Sequence, residues 1–497
     1  MNIFLDDAPA LVVVLPLLVA AIVAFIPSPR LAWFITIVTL VIHILLSIEL
    51  LTSFSSFGVI IYEFGNWPPP WGISFKLDGV NIGLQILFSA FILIATIYAR
   101  KIFLSEIEPE DSGKAYSLWL LAIGSLNGII LTNDIFNLFV FLEISALSSI
   151  SLISLGAGIN RKALLAAFNY LIIGAIGATF YVIGVGFAYA MTGTLNMNDL
   201  IIQLTQYSEG QLAIFAGMSF MLIGLMVKSA VFPLHLWLPP AYSYAPSAVS
   251  TLFAALATKA ILIFFVRILY EVFSIYNDYL ILFLDYILLP LSLIAIFVGT
   301  IIAIYQDDIK KLLAYSSIAQ IGYITLVFSI NDNSGVLAGF VHIFNHALIK
   351  GGLFMAVGYL AFSIKDRVTL QSIEGLGQKF PITSYALLIC GLSLIGLPLT
   401  NGFISKLFIF QALYSNEMFL TIALVALSSA LAVIYFWKIV EKLFFSPKGF
   451  EASIEDPAIY IPIWILAISI IYFGIFSSPI VEFSSIASES LIKGGTN

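Results

Sequence analysis

Four lysines and one glutamate stand inside long apolar stretches of this chain: Lys228, Lys259, Lys350, Lys406 and Glu143. An ionisable group at the bilayer centre costs about 2.5 to 3.5 kcal/mol on insertion scales, so such groups pair with one another or line a wet path. The chemistry they suit is the carriage of charge through a membrane. Glu143 lies in NLFVFLEISALSSI, nine positions beyond Asp134. About 13 Å of helix separates the two, which puts the carboxylate well inside an apolar slab. A buried carboxylate stays ionised beside a lysine, so Glu143 and Lys228 are expected to pair. A plain structural salt bridge between packed helices is the competing account. Lys259, in FAALATKAILIFF, follows Lys228 by 31 residues and belongs to the adjoining helix. Burial and a neighbouring carboxylate push a lysine's proton affinity in opposite directions, so alternation between paired and unpaired states would make each lysine a proton carrier. Snorkelling needs a helix end, and these four lysines are expected away from one.

The run HIFNHALIKGG places His342, His346 and Lys350 at i, i+4 and i+8. Steps of about 40° keep all three on one helix face over about 12 Å. Histidine titrates nearest neutral pH, so the row suits a proton relay. Two histidines at i and i+4 are also half of a zinc motif, but its glutamate is absent, no cysteine is near, and the third group is a lysine. Core histidines hydrogen-bonded between helices are the other account. His43 reads as structural, and His235 as a group lining the path.

The elements that must hold these residues follow from composition. Hydrophobic residues fill 61% of 497 positions and charged ones 10%, with a mean hydropathy of +1.07. Soluble domains are about 45 to 50% apolar and about 25% charged, so an all-α polytopic membrane protein is expected. Runs of about 20 apolar residues give about fourteen transmembrane helices, near 9–27, 31–52, 78–99, 116–133, 135–156, 164–191, 211–238, 243–270, 279–304, 310–330, 335–362, 383–412, 417–444 and 458–477. The opening MNIFLDDAPA has no basic region and reads as the start of a permanent helix, not a cleaved signal. The net charge of -7 is spread over loops and points to neither nucleic acid nor an acidic substrate. With Cys390 alone, no disulfide, metal cluster or dinucleotide fingerprint is available, so no cofactor and no catalytic redox site are expected in this chain.

Lysine and arginine gather in the connections after odd-numbered helices, among them Arg161, Lys162, Lys310, Lys311, Lys365, Arg367 and Lys448. The other side has Lys76, Arg267 and Lys493. Basic loops stay cytoplasmic, so both termini are expected outside the cell membrane that the chain crosses. Two helices carry breaks. The seventh reads VKSAVFPLHLWLPP, with Pro233 just after Lys228; the twelfth reads GLPLTNGFISK, with Pro398 and Gly402 ahead of Lys406. Proline frees a carbonyl, and unpaired backbone survives at membrane depth only inside protein or beside water, so Pro233 and Pro398 are candidates to line the path. Ordinary kinks are the alternative. If helices 4–8 and 9–13 are two five-helix units, each break falls in the fourth helix of its unit, as an internal repeat would have it. The expected division is 1–115 for helices 1–3, 116–272 and 273–445 for the two units, and 446–497 for helix 14 and the tail.

Six runs carry a resemblance: LTNDIFNLFVFLEISALSS, GTLNMNDL at 193–200, KSAVFPLHLWLPPAYSYAPSAVSTLFAALATKA at 228–260, DDIKKLLAYSSIAQIGY at 307–323, HIFNHALIKGGLF at 342–354 and GLPLTNGFISK at 396–406. In one order, over roughly residues 60 to 445, they resemble the antiporter-like subunits of Mrp cation/proton antiporters, complex I and membrane-bound hydrogenases. The resemblance implies fourteen core helices, two inverted five-helix repeats with helices 7 and 12 broken, and a hydrated axis that carries protons. It makes Glu143 the fifth-helix glutamate, Lys228 its seventh-helix partner, Lys259 the eighth-helix relay and Lys406 the twelfth-helix terminal group. His342, His346 and Lys350 take the eleventh-helix positions. Protons would enter a half-channel, reach Lys259, pass along the row and leave near Lys406. The segment EFGNWPPPWGISFKLDG is similar to the one before the third helix of D-type Mrp subunits and their relatives in hydrogenases and sulfane reductases. Implied partners are further membrane subunits. Sodium wants oxygen ligands and the axis is mostly nitrogen, so sodium is expected to pass through a partner. A stand-alone secondary transporter and a purely structural anchor of a redox complex are the other classes.

Overall fold

A backbone in lipid must bond itself, so the apolar runs of this chain fold as helices. The computed structural model describes residues 7–206, 211–446 and 450–494. The opening residues MNIFLD, Lys448 and the side chain of Lys493 lie outside these. In chain order the helices are α1 Ala8–Val23, α2 Pro29–Phe57, α3 Ile82–Glu106, α4 Ser112–Leu131, α5 Ile135–Ser154, α6 Lys162–Thr192, α7 Met197–Gln206, α8 Gln211–Lys228, α9 Leu238–Tyr244, α10 Ser247–Leu252 and α11 Thr258–Arg267. They continue as α12 Asn277–Phe283, α13 Leu289–Ile304, α14 Ile309–Phe328, α15 Asn333–Ile364, α16 Leu376–Lys379, α17 Pro381–Ile395, α18 Asn401–Ser415, α19 Phe419–Phe444, α20 Pro457–Ile475 and α21 Ser478–Gly494.

Among the described residues, ten helical runs are long and apolar enough to cross a membrane. Three shorter apolar helices, Ala8–Val23, Leu212–Lys228 and Pro381–Ile395, accompany them. One of the ten, Ser247–Ile304, is a single 58-residue run covering two expected helices, 243–270 and 279–304. It contains three π turns, Phe253–Ala257, Ile268–Val272 and Leu284–Leu288, and is interrupted at Tyr276, where φ -105° and ψ 66° leave the helical region after the 3-10 turn Phe273–Tyr276. The seventh and twelfth expected helices are interrupted, after Lys228 and between Ile395 and Asn401.

Burial separates the centre of the molecule from its rim. In their most apolar windows α14 is 89% buried and α15 78%, against 33% for α6 and α19, so the row on α15 sits at the centre. Side-chain caps start α5, α14 and α15. Asp134 accepts from Phe136 N at 2.9 Å and Asn137 N at 2.6 Å, Asp308 from Lys311 N at 2.9 Å, and Asp332 from Gly335 N at 2.7 Å. Small residues bring α6 against α8, where a Cβ on Gly224 would stand 2.6 Å from Gly177 O. An antiparallel hairpin, β1 Ile60–Glu63 with β2 Ser74–Leu77, is pinned to the start of α5 by Asn133 N on Ser74 O at 3.0 Å.

Candidate functional site

The expected pair is present. Lys228 Nζ donates to Glu143 Oε1 at 2.7 Å. Lys228 is the last residue of α8, so it does stand at a helix end, contrary to the sequence reading. That end is internal to the protein, its side chain is 1% exposed, and the C-terminal dipole of α8 favours its positive charge. The turn beyond is closed by Trp237 Nε1 on Val227 O at 2.9 Å and Val231 N on Met226 O at 2.9 Å. Glu143 departs from expectation in another way. Its side chain is 31% exposed, on a face of α5 that also turns Phe136, Val140 and Leu147 outward, so the carboxylate is deep but not enclosed by this chain.

The other three lysines hold neutral oxygens. Lys259, wholly buried, donates to Ala254 O in the π turn before α11. Lys350 donates to Leu313 O at 2.9 Å and Ser316 Oγ at 2.5 Å. Lys406 donates to Ile395 O and to Ser429 Oγ at 2.8 Å. The acceptors for Lys259 and Lys406 lie where regular helix bonding is interrupted, at a π turn and at the end of α17, which is how the breaks serve the site. Pro233 and Pro398 themselves are exposed, while Val227 O and Ile395 O beside the breaks accept from Trp237 Nε1 and Lys406 Nζ. His235 is buried against the Phe232 ring at 5.2 Å, with Nδ1 unpartnered.

His342 and His346 are buried and stack with ring centroids 5.8 Å apart. None of their four ring nitrogens has a hydrogen-bond partner, so the account of histidines bonded between core helices finds no bonds. A buried polar group left unpaired costs about 1 to 3 kcal/mol, and water is the partner such a row calls for. Lys259 is within electrostatic reach of His342, His346 and Lys350. Lys406 lies at the His342 end of the row, since Tyr323 meets His342 edge-on at 6.0 Å and lies 5.9 Å beneath the Lys406 ammonium. Tyr323 also donates to Ser428 Oγ at 2.9 Å. Of the three residues in the row, His342 is thus the one joined to Lys406 through Tyr323. Tyr323, Ser428 and Ser429 were not singled out from sequence; the serine pair inside the apolar α19 was the available signal.

A second set of buried charge was missed as well. Arg267 is no loop residue: it ends α11, is 2% exposed, and pairs with Asp78 and, at 3.1 Å, with Glu271 Oε1. Lys76 Nζ joins Asp78 at 3.4 Å and Glu271 at 3.3 Å. Arginine and glutamate at i and i+4 within FFVRILYEVF could have announced it. Among the described residues no group of three His, Cys, Asp or Glu is placed to hold a metal.

Comparison with known proteins follows the same outline. Residues 132–432 match the transmembrane family described as NADH:quinone oxidoreductase/Mrp antiporter. Subunit N of the NADH-quinone oxidoreductase of Desulforudis audaxviator is 36% identical over 436 residues, 85% of each chain. The protein named as antiporter subunit mnhD2 in Staphylococcus aureus is 29% identical over 489 residues, 98% of this chain and 96% of its own. Of solved structures, a chain of the membrane-bound sulfane sulfur reductase, an archaeal respiratory membrane complex, superposes with a TM-score of 0.90 at 30% identity, covering 99% of both chains. A chain of the Mrp complex from Dietzia sp. gives 0.87 at 23% identity, over 99% of this chain and 98% of that one. One from respiratory complex I of Thermus thermophilus gives 0.72 at 23%, over 96% and 99%. These last two likenesses concern the fold alone.

Proposed function

The chain belongs to the NADH:quinone oxidoreductase/Mrp antiporter family of transmembrane subunits, and on that premise we propose that it carries protons through the membrane as one subunit of a multisubunit Mrp-type antiporter or a related respiratory complex. The observation that carries this reading is the set of four buried lysines together with the buried, unpartnered histidines His342 and His346. The active groups are Glu143, Lys228, Lys259, His342, His346, Lys350 and Lys406, with His235 and the two breaks beside them. Formation and rupture of the Glu143 to Lys228 contact would raise and lower the proton affinity of the neighbouring lysines. A proton moved against 100 mV needs about 2.3 kcal/mol and one pKa unit is about 1.4 kcal/mol, so a swing of about two units suffices.

Fourteen crossings fit this reading if the 58-residue run is taken as two and the three short apolar helices are counted. Two inverted five-helix repeats at 116–272 and 273–445, with both termini outside the cytoplasmic membrane, complete it. The partners would be further membrane subunits, with sodium handled by one of them. A second reading, a proton-pumping subunit of an NADH-quinone oxidoreductase, is favoured by the 36% identity to a subunit N and gives the axis the same task. The deciding experiment compares proton and sodium flux in everted vesicles holding the whole native assembly, with Lys228 and with Lys228→Ala. Lost proton flux with intact assembly supports the proposal; unchanged flux in Lys228→Ala and in Lys350→Ala alike moves the path to a partner.

A further inference from the structure

A cavity of about 550 Å³ opens at one end of the helical body, where the ends of α3, α9 and α15 meet the start of α14. Its charges are balanced: Lys310, Lys365 and Arg367 face Glu106, Asp308 and Asp366. Balanced charge makes it a poor seat for a phosphate headgroup and a good one for water. Several of these groups are already engaged. Glu106 accepts the Ser247 N and Oγ at 2.5 and 2.6 Å, and Asp308 accepts Arg367 Nη2 at 2.6 Å.

Lys310 is placed differently. Its ammonium donates to Ser247 Oγ at 2.9 Å and reaches Ala245 O at 3.4 Å, so a single hydroxyl joins it to the Glu106 carboxylate on the cavity floor. From there α14 leads into the protein. Leu313, one turn beyond Lys310, offers the carbonyl that accepts Lys350 Nζ at 2.9 Å, and Ser316 Oγ accepts the same ammonium at 2.5 Å. The rise along α14 from Lys310 to Leu313 is only about 5 Å.

We propose that this cavity is a proton port for the second half of the axis, with Lys310 passing protons between the cavity water and Lys350. The proposal rests on the proton-carrying reading above and adds a port that bypasses Lys228 and Lys259. In each transfer one N–H bond of an ammonium breaks and one forms on water or on a neutral amine, so charge is conserved without a further reactant. The pair at Lys228 then acts on the axis electrostatically and need not conduct through itself.

The test uses the whole native assembly in vesicles. Lys310→Arg keeps a positive donor for Ser247 but does not release a proton at working pH, so proton flux is expected to fall by about tenfold or more. Full flux in Lys310→Arg would overturn the proposal, because a structural cation would be replaced by arginine. Should that variant fail to assemble, Ser363→Cys in a Cys390→Ser background supplies a second arm, compared with the same assembly carrying Cys390→Ser alone, since Ser363 lines the cavity and Cys390 is the one cysteine of this chain. A charged, membrane-impermeant thiol reagent added from the cavity face is expected to block flux. Complete labelling with flux intact would sink the port. Lys350→Ala separates the two levels: if it too leaves flux unchanged, the proton-carrying reading itself has failed, not only the port.

Discussion

Lys76, Asp78, Arg267 and Glu271 form a closed set of two cations and two anions, while Lys259, Lys350 and Lys406 hold only carbonyl and hydroxyl oxygens. Both groups lie deep in the protein, so burial does not distinguish them; the nature of the partner does. In the closed set every charge is compensated, and protonating or deprotonating one member strands another. An axis lysine on a carbonyl can lose its proton and leave no orphaned counter-charge. Lys228 stands between the two types, with one carboxylate partner that is itself open to the exterior of the chain. On the proposed reading, compensation marks a clamp, and its absence marks a carrier.

The sharpest way to break that comparison is to open the clamp. Arg267→Ala leaves Asp78 and Glu271 buried without their main cation, and removing one partner of a buried pair costs about 3 to 5 kcal/mol. The expected outcome is loss of assembled complex, read as a lowered yield and melting temperature of the detergent-extracted assembly. If Arg267→Ala assembles at wild-type stability and loses flux instead, the cluster belongs to the axis and the distinction collapses.

Lys350→Ala comes next. Its neutral partners Leu313 O and Ser316 Oγ tolerate the loss, because a carbonyl already bonded in its helix and a hydroxyl that can turn to Leu313 are less costly to abandon than a buried ion. Assembly should survive while proton flux falls by about tenfold or more, a barrier change of about 1.4 kcal/mol. Unfolding in place of flux loss would make Lys350 a clamp like Arg267.

These two outcomes bear on what the sequence could and could not disclose. Each axis lysine was legible because an apolar neighbourhood makes a charge conspicuous, and the Glu143 to Lys228 contact followed from depth along two helices. Arg267 escaped because it was counted with the loop charges that set orientation, and its partner Asp78 is 189 positions away. Depth fixed the row on α15 but not its neighbours, so the contact of Tyr323 with both His342 and Lys406 had no trace in the sequence. The prolines marked both breaks, yet the chemistry there belongs to backbone atoms that no residue type names. Periodicity divided Ser247–Ile304 into two helices, and the backbone leaves helical geometry between them at Tyr276, φ -105° and ψ 66°.

Glu143→Gln sharpens the intermediate case. The amide keeps the shape and one acceptor for Lys228 but removes the negative charge, and the partial exposure of Glu143 limits the effect on folding. Flux should fall by about threefold to tenfold, less than for Lys350→Ala, because the pair modulates the carriers and does not conduct. An effect as large as that of Lys350→Ala would place Glu143 on the path itself.

The smallest expected effect lies at Tyr323, where the carrier row meets Lys406. Tyr323→Phe removes the hydroxyl that donates to Ser428 at 2.9 Å but keeps the ring against His342 and beneath the Lys406 ammonium. Stability should change by about 1 kcal/mol, the ordinary worth of one buried hydrogen bond. If the hydroxyl helps protons step from His342 toward Lys406, flux falls by about twofold to threefold while assembly is unchanged. Flux equal to wild type would leave the ring as packing only, and the step from His342 to Lys406 would then run through water held by Ser428 and Ser429, whose alanine variants should show the loss that Tyr323→Phe does not. Either result keeps the distinction between clamp and carrier, because a phenol bonded to a hydroxyl strands no charge when it is removed.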